Sequence, residues 1–371
     1  MEEVTVIETE SDVVNSAAVA EEQIPQKKQR KPINQQKLQD NLWGWAFCVP
    51  LIIGTVWFVY IALVMALMLS FTNYTLNRGS MMEYLGNFSQ NIVKDPATGA
   101  ASPFYWYKEA FTYEIGTTYK MNEMGAHLFN TVFYMIGIPI GMVLSMFFAV
   151  CMSRDIKGGN IFRVLYYLPC VASTISIVYT FKILFETTGV INQLLNIDLN
   201  WLQLTGNEAE TWNSLNNTNK EGAFYNDPYW CQGLFQKIVI IVMQVWKGLG
   251  GTIILYVAGL SGVNAATKEA AQIDGANGWQ IFWKVTMPDL YPVIFYNIVT
   301  SVIGGMQIYM EPVLLFKENY MTSGYVSLIW RYGLNGLSAS QARGAAYGMI
   351  LAVIIFVLTM FQFYLDGRKK D

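Results

Sequence analysis

Residues 269–279 read Glu269-Ala270-Ala271-Gln272-Ile273-Asp274-Gly275-Ala276-Asn277-Gly278-Trp279, and the segment continues to Val285-Thr286-Met287-Pro288. The pattern predicts a short helix, a break and a second short helix. Thr267 is a suitable N-cap, which puts Glu269 in the first turn, where the helix dipole favours negative charge. Gly275 suits the left-handed conformation that ends a helix, and Pro288 limits any continuous helix beyond it. The paired alanines leave a smooth face beside charged residues, which is typical of a docking element.

Long apolar segments lie on both sides of this stretch. Of the 371 residues, 53% are hydrophobic and only 14% are charged, whereas a soluble domain has about 25% charged residues. A bilayer core needs roughly 20 apolar residues in helical form. The segments that meet this need are 43–70, 128–152, 161–184, 235–259, 292–310 and 345–364. We therefore predict an all-α integral membrane protein with about six transmembrane helices, of which 161–184 carries Pro169 and Lys182.

Lysine and arginine are densest in one set of short flanks, and such residues mark the cytoplasmic side of a membrane. With the N-terminus inside, this set is Lys27, Lys28, Arg30, Lys31, Arg154, Lys157, Arg163, Lys268, Lys284, Arg368, Lys369 and Lys370. The opposite side keeps its basic residues in much longer loops. This distribution predicts that both termini are cytoplasmic, as is the loop at about 263–288. The sizeable loops at about 71–126 and 186–234 are then extracytoplasmic.

The chain divides into a tail and a membrane domain. Residues 1–39 lack apolar periodicity, so we expect a disordered cytoplasmic tail followed by a transmembrane domain over 40–371. Both outer loops contain aromatic runs, at 105–107 and 227–230. Two interpretations fit these aromatic residues: they stack on a sugar or dock a partner, or they form the small core of a folded cap.

Several function classes are excluded by what the sequence lacks. The one histidine and the scattered cysteines form no metal-ligand cluster, and no nucleophile-plus-base arrangement indicates an enzyme, so we expect neither a metal site nor catalytic residues. No Gly-rich phosphate loop ends in Lys-Ser or Lys-Thr, so the chain cannot be its own ATPase. The net charge of −3 gives no indication of a nucleic-acid partner. A secondary transporter, the alternative from another class, needs coupling carboxylates or broken helices, and the spans hold almost no Asp or Glu.

The loop at 263–288 resembles the EAA loop of binding-protein-dependent ABC importer permeases. It has Glu-Ala-Ala, a glycine six residues after the glutamate and an aliphatic-x-apolar-Pro ending, with Met287 in place of the usual leucine. The resemblance covers roughly residues 43–367, with the outer loops matching poorly, and points to the larger, maltose-type permease of the carbohydrate branch. Other matching pieces are Phe162-Arg163-Val164-Leu165-Tyr166-Tyr167-Leu168-Pro169, Gly189-Val190-Ile191-Asn192 and Trp246-Lys247-Gly248-Leu249-Gly250.

The resemblance implies the type I ABC importer permease arrangement, in the plasma (inner) membrane of a bacterium. The coupling residues that it implies, which fit a cleft on a cytoplasmic ATPase, are Glu269, Ala270, Ala271, Asp274, Gly275 and Ala276. The implied partners are a homologous second permease, an ATPase dimer that binds ATP and Mg, and an extracytoplasmic solute-binding protein. This chain itself would bind no cofactor. ATP-driven closure of the ATPase would switch the pathway between inward-open and outward-open states.

Polar residues in spans are costly and are therefore candidates for the solute pathway. The resemblance implies that the regions 246–251 and 303–310 line a sugar cavity, with the candidate residues Lys247, Gly248, Gly251, Met306, Gln307 and Met310. Alternatives stay open, since Gly248, Gly250, Gly251, Gly304 and Gly305 also suit close helix packing. Lys247 also suits snorkelling, or pairing with a carboxylate of the partner permease. The cavity regions hold no arginine, which favours a neutral saccharide over another polar solute such as glycerol phosphate.

Overall fold

The computed structural model describes residues 35–75, 79–96, 98–113, 122–153, 159–197, 199, 201–202, 233–318, 321–335 and 340–368. The predictions for residues 1–34, for the aromatic run 227–230 and for Arg154, Lys157, Lys369 and Lys370 lie outside these residues. The chain divides into two compact units, Met1–Ala62 and Leu63–Asp371.

The described part of the first unit is helical. Helix α1 (Gln35–Thr55) passes into a π-helical turn, Val56–Tyr60, and the chain continues as α2 (Ile61–Leu69). Because α1 begins at Gln35, the last residues of the predicted tail, 35–39, are helical rather than disordered. From Trp43 to Leu69 the run is 27 residues long and apolar enough to cross a membrane.

The segment from Leu69 to Thr112 forms a small folded cap in the second unit. It contains α3 (Met81–Gly86) and α4 (Tyr105–Thr112), with isolated bridges joining Thr72 to Ile92 and Lys94 to Ala101. Tyr74 is buried in its core, and the Trp106 indole donates a hydrogen bond to the Thr72 carbonyl at 2.8 Å. The aromatic run 105–107 thus contributes to a cap core, which is the second of the two interpretations for this loop.

Three more helical runs are long and apolar enough to span a membrane. They are Glu123–Met152, made of α5 (Glu123–Tyr134) and α6 (Gly137–Met152), then α10 (Leu234–Ser261), and finally α16 (Gln341–Gly367). The short helices α9 (Val190–Leu195) and α15 (Val326–Gly333) lie between spans.

Two further spans are broken. Helices α7 (Gly159–Val171) and α8 (Thr174–Leu184) meet at 101°, whereas α13 (Met287–Met306) and α14 (Met310–Phe316) meet at 43°. Counting each bent pair as one span gives six among the described residues, in agreement with the predicted number. Segment 161–184 is not one straight helix, because Pro169 weakens the end of α7 and the Ser173 side chain caps a new helix.

The loop at 263–288 is close to its predicted form, with three differences. Helix α11 (Ala265–Ile273) is capped by Asn264, whose side chain accepts from the Ala266 amide, so the predicted Thr267 cap is wrong. Glu269 is consequently past the first turn. After α12 (Gly278–Ile281), a π-helical turn, Phe282–Thr286, leads directly into α13. Pro288 therefore does not interrupt the chain: the helical run is continuous from Gly278 to Met306, and Pro288 is its second residue after the π-helical turn.

Helix α10 is central to the packing of the second unit. It contributes Val239, Ile240 and Met243 to one buried cluster and Ile253 and Tyr256 to another. Through these two clusters, α10 packs against both broken spans and against α6. The side chains in the middle of α10 therefore have defined neighbours.

A candidate docking loop and solute pathway

The predicted coupling residues lie together on the surface of the 263–288 loop. Glu269, Ala270, Asp274 and Gly275 are exposed and Ala271 and Ala276 are half-buried, and α11 has no buried residue at all. Ile273 is 86% exposed and Trp279 is 70% exposed. Large apolar side chains this open on a short helical loop indicate a surface that another protein covers. Neither residue was selected as a candidate from the sequence, although a large apolar side chain in a short polar loop is itself a sign of such a surface.

The corner between α11 and α12 is rigidly built. Gly275 has φ +81°, the left-handed conformation predicted for it. Asn277 then forms a capping box: its Oδ1 accepts from the Gln280 amide, and Gln280 Oε1 accepts from the Asn277 amide, both at 2.9 Å. These contacts define the turn that follows α11, next to the predicted coupling residues.

A large apolar groove runs beside this loop. Its volume is about 680 Å³, and its lining is formed by side chains of α6, α10 and the 278–294 segment, including Met146, Phe147, Trp279, Phe282 and Trp283. Sugars require hydrogen-bonding partners, so this lining suits an acyl chain or an apolar helix and not a saccharide.

A polar centre lies where both broken spans meet α10. The Lys247 ammonium, in the middle of α10, donates to Glu311 Oε1 at 2.8 Å and to Thr174 Oγ1 at 2.9 Å. Thr174 is the first residue after the α7–α8 break, and Glu311 follows the α13–α14 break. Within this chain, Lys247 thus pairs with Glu311; pairing with a carboxylate of the partner permease stays a prediction. Glu311 was not among the pathway candidates selected from the sequence.

The glycines of α10 separate into two kinds. A Cβ on Gly250 would lie 2.3 Å from the Tyr166 carbonyl oxygen, so this glycine serves close packing of α10 on α7. Gly248 has no atom within 4 Å of its Cβ position, and a Cβ on Gly251 would meet Cys170 Sγ at 3.6 Å. Gly248 also borders a small cleft of about 120 Å³ whose polar lining is Ser145, Gln244, Thr252 and Ser301. Gly248 therefore faces open space, as a pathway residue must.

The candidates near the α13–α14 break are not all equivalent. Gln307 ends α13 and is exposed, and Met310 begins α14 and is exposed. Met306 is 1% exposed and packs in a buried cluster with Tyr325 and Tyr347. The prediction that Met306 lines a pathway does not fit this packing, because the cluster encloses its side chain.

A second charged cluster joins the cap to the spans, and sequence reasoning missed it. Arg331 donates to Glu123 at 2.7 Å, and the Tyr332 hydroxyl donates to the same carboxylate. Arg343 stacks over the Tyr332 ring at 3.5 Å and pairs with Glu109 at 3.2 Å. Burial, assisted by Glu123, raises the pKa of Tyr332, which keeps its hydroxyl as a donor. Burial also raises the pKa of Glu109, against the opposing effect of Arg343.

No group of three or more His, Cys, Asp or Glu side chains suited to a metal ion occurs within the described part of the chain. The chemistry available at Lys247, Glu311 and Gln307 is therefore hydrogen bonding and charge, which suits solute binding.

Comparison with known proteins adds a family relationship. The family described as binding-protein-dependent transport system inner membrane component matches residues 137–371. The arabinooligosaccharides transport system permease protein AraP of Halalkalibacterium halodurans is 32% identical over 246 residues, which are 65% of this chain and 70% of that protein. The lactose transport system permease protein LacF of Rhizobium radiobacter is 26% identical over 332 residues, 88% of this chain and 95% of that one.

Among solved structures, a chain of a bacterial alginate ABC transporter has a similar fold. That transporter was crystallised in complex with an alginate pentasaccharide-bound periplasmic protein. The TM-score is 0.65 at 20% sequence identity, with 90% of this chain and 97% of that chain covered. At this identity the match establishes a shared fold.

Proposed function

Because the chain belongs to the family of binding-protein-dependent transport system inner membrane components, we propose that its 263–288 loop couples sugar import to ATP hydrolysis by a separate protein. The chain is a multi-pass permease subunit of an ABC importer and is not itself an enzyme. The observation that carries the proposal is the exposed α11–α12 corner, where Ile273 and Trp279 lie open beside the coupling residues.

The docking step follows from the shape of this corner. Helix α11 offers small side chains at Ala270 and Ala271 with the exposed Ile273 beside them, and the capping box at Asn277 fixes their direction. A cleft on an ATPase gains apolar contact there without having to order the loop first. ATP and Mg are bound by that ATPase, and its closure moves α10 and α13, between which the loop lies.

The proposed solute is a sugar or oligosaccharide. Relatives named for arabinooligosaccharides and lactose support this class. The polar centre at Lys247, together with Gln307, supplies the hydrogen-bonding groups that a hydroxyl-rich solute needs, and Gly248 leaves space beside them. We assign the pathway to Lys247, Gly248, Gly251, Gln307 and Met310. A second permease subunit completes it, and an extracytoplasmic binding protein delivers the sugar.

The proposed location is the plasma (inner) membrane of a bacterium. The density of basic residues supports a cytoplasmic position for both termini and for the 263–288 loop, and an extracytoplasmic position for the cap. This orientation places the docking corner on the side where ATP is found.

The test is co-purification of the full chain from host membranes in mild detergent, with uptake measured in parallel. Wild type is expected to bring down a second permease and an ATPase, and to take up at least one saccharide from a panel of maltotriose, arabinotriose and lactose when ATP is present. Glu269→Lys is expected to lose the ATPase and the uptake but to keep the second permease, because its charge reversal is confined to the exposed corner.

The matched control is Glu83→Lys, the same charge reversal at an exposed position of α3 in the cap. It is expected to keep the ATPase and the uptake. A Glu269→Lys protein that retains both would refute the docking role of the loop. Wild type that purifies alone and moves solute without ATP would overturn the coupling proposal altogether.

A further inference from the structure

The polar centre at Lys247 is built from three separate elements. Lys247 comes from an unbroken stretch of α10, Thr174 from the first turn of α8, and Glu311 from the first turn of α14. Breaks in membrane helices are tolerated where the freed backbone groups are buried in protein or line a water-filled cavity. Two breaks that converge on one lysine therefore mark a place where the structure is organised around a polar space.

The Lys247–Glu311 ion pair leaves hydrogen-bonding groups of both side chains unused. Within the described residues, the Lys247 ammonium donates to Glu311 Oε1 and Thr174 only, which leaves one N–H unused. Glu311 Oε2 accepts from none of these residues. The Lys247 side chain is 31% exposed and that of Glu311 is 14% exposed, so both reach the open space. A sugar hydroxyl both donates and accepts, and it can therefore bridge the free N–H and the free oxygen.

An aromatic surface lies next to the pair. Trp246 is 39% exposed, and its ring centroid lies 5.7 Å from that of Phe181. Phe181 is seven residues after Thr174 and so shares its face of α8. Trp246, which contacts Phe181, and Lys247, which contacts Thr174, therefore contact the same face of α8. An apolar ring beside paired polar groups matches the two surfaces of a pyranose or furanose ring.

The charge balance of the centre selects among sugars. Lys247 and Glu311 together carry no net charge, so a neutral saccharide enters without an electrostatic penalty. A uronate would bring a second carboxylate next to Glu311, and like charges at this distance repel. An unpaired lysine would instead attract such an anion. Glu311 therefore determines the preference for neutral saccharides over uronates, and Lys247 contributes to the binding of the saccharide.

We propose that Lys247 and Glu311 form a solute-recognition pair that selects neutral, hydroxyl-rich saccharides and rejects uronates. This inference rests on the proposed sugar-import function and adds a specificity-determining role for Glu311. The pair binds sugar hydroxyls through the free Lys247 N–H and Glu311 Oε2, with Trp246 as the stacking surface.

The test uses the purified complex of this chain with its second permease and ATPase in lipid nanodiscs. Equilibrium binding of radiolabelled maltotriose, arabinotriose and trigalacturonate is measured without the binding protein, whose own selectivity would otherwise dominate. Wild type is expected to favour a neutral trisaccharide over trigalacturonate by at least about tenfold, the range of a charged hydrogen bond. Glu311→Gln is expected to tighten trigalacturonate binding by about tenfold. Lys247→Met is expected to weaken neutral binding by a similar factor.

A double variant separates recognition from a purely structural ion pair. Lys247→Met/Glu311→Gln removes both charges and leaves neither unpaired. A structural pair predicts wild-type binding in this variant, whereas recognition predicts neutral binding that stays about tenfold weaker. Lys182→Met makes the same substitution in the last turn of α8, where the ammonium lies over the Tyr179 ring, and is expected to leave the selectivity unchanged.

The outcomes distinguish this inference from the function on which it rests. Wild type that takes up a saccharide with ATP but binds both classes equally overturns the recognition pair alone. The same holds if Glu311→Gln leaves the ratio of neutral to uronate affinity unchanged. Wild type that neither binds nor takes up any saccharide of the panel overturns the sugar function and the pair together.

Discussion

At the scale of single residues, two glycines of α10 illustrate how neighbours decide the role of a side chain. Gly248 and Gly250 are two positions apart, and the sequence offers both for packing or for the pathway. The carbonyl oxygen of Tyr166 occupies the space that a Cβ of Gly250 would need, whereas the Cβ position of Gly248 is open. Gly250 thus holds α10 against α7, and Gly248 leaves room beside Lys247.

We predict that Gly250→Ala destabilises the folded protein and Gly248→Ala does not. A methyl group at 250 would force the α7 backbone away, and overpacking of this kind costs about 1–3 kcal/mol. The measurement is the thermal unfolding midpoint of each variant in detergent, with Gly248→Ala as the matched control. Equal midpoints for the two variants would mean that α7 moves at no cost, contrary to the packing described.

At the scale of elements, the α11–α12 corner shows how short-range sequence signals shape an exposed surface. Asn264 starts α11, Gly275 ends it with φ +81°, and Asn277 starts α12 through a reciprocal capping box. These are short-range contacts that the chain forms without help from the rest of the fold. The corner is therefore ordered even though its residues are exposed. A displacement of an ordered corner by a bound partner would also displace the helices that it joins.

We predict that Asn277→Ala loosens the start of α12, while Asn277→Asp retains its order. Loss of an N-cap acceptor costs about 1 kcal/mol, and aspartate still supplies a side-chain oxygen. Hydrogen exchange of the Gln280 amide, which donates to Asn277 Oδ1, should therefore accelerate roughly fivefold in the alanine variant, the factor that corresponds to this energy. Unchanged exchange in Asn277→Ala would show that the capping box does not hold the corner.

At the scale of the second unit, charged clusters tie distant parts of the chain together. Arg331 of α15 binds Glu123 at the start of α5, and Arg343 of α16 binds Glu109 of the cap. The Tyr332 ring lies between the two arginine–glutamate pairs. The cap is therefore attached by hydrogen bonds and charge as well as by the apolar cluster around Tyr74.

We predict that Arg331→Met lowers stability by about 2 kcal/mol, because it leaves the buried Glu123 carboxylate without its cation. Glu123→Gln in the same protein should recover part of this loss, since the amide carries no charge to leave unpaired. Thermal unfolding of the three proteins checks both statements. Lys108→Met, at an exposed position of α4, is the control and should change the midpoint little. An Arg331→Met protein as stable as wild type would contradict the role assigned to the cluster.

Much of this architecture follows from short-range and compositional signals. The low content of charged residues and the apolar runs of about 20 residues determined the membrane class and the number of spans, because a helix must be about this long to cross a bilayer. The spacing of Glu269 and Gly275 determined the loop and its family, since a glycine with positive φ is needed where α11 ends. The Thr267 cap failed because Asn264, a better acceptor, stands one residue before the helix.

The tertiary structure alone decided which side chains meet. Lys247 and Glu311 are 64 residues apart, and only the convergence of two broken spans on α10 brings them within 2.8 Å. The burial of Met306 and the openness of Gly248 depend likewise on neighbours from other helices. Sequence periodicity assigns a residue to a face of its own helix, whereas the packing of the other helices determines what that face contacts. For this reason the spans and the helix–break–helix form of the 263–288 loop were predictable from the sequence, whereas the contact between Lys247 and Glu311 was not.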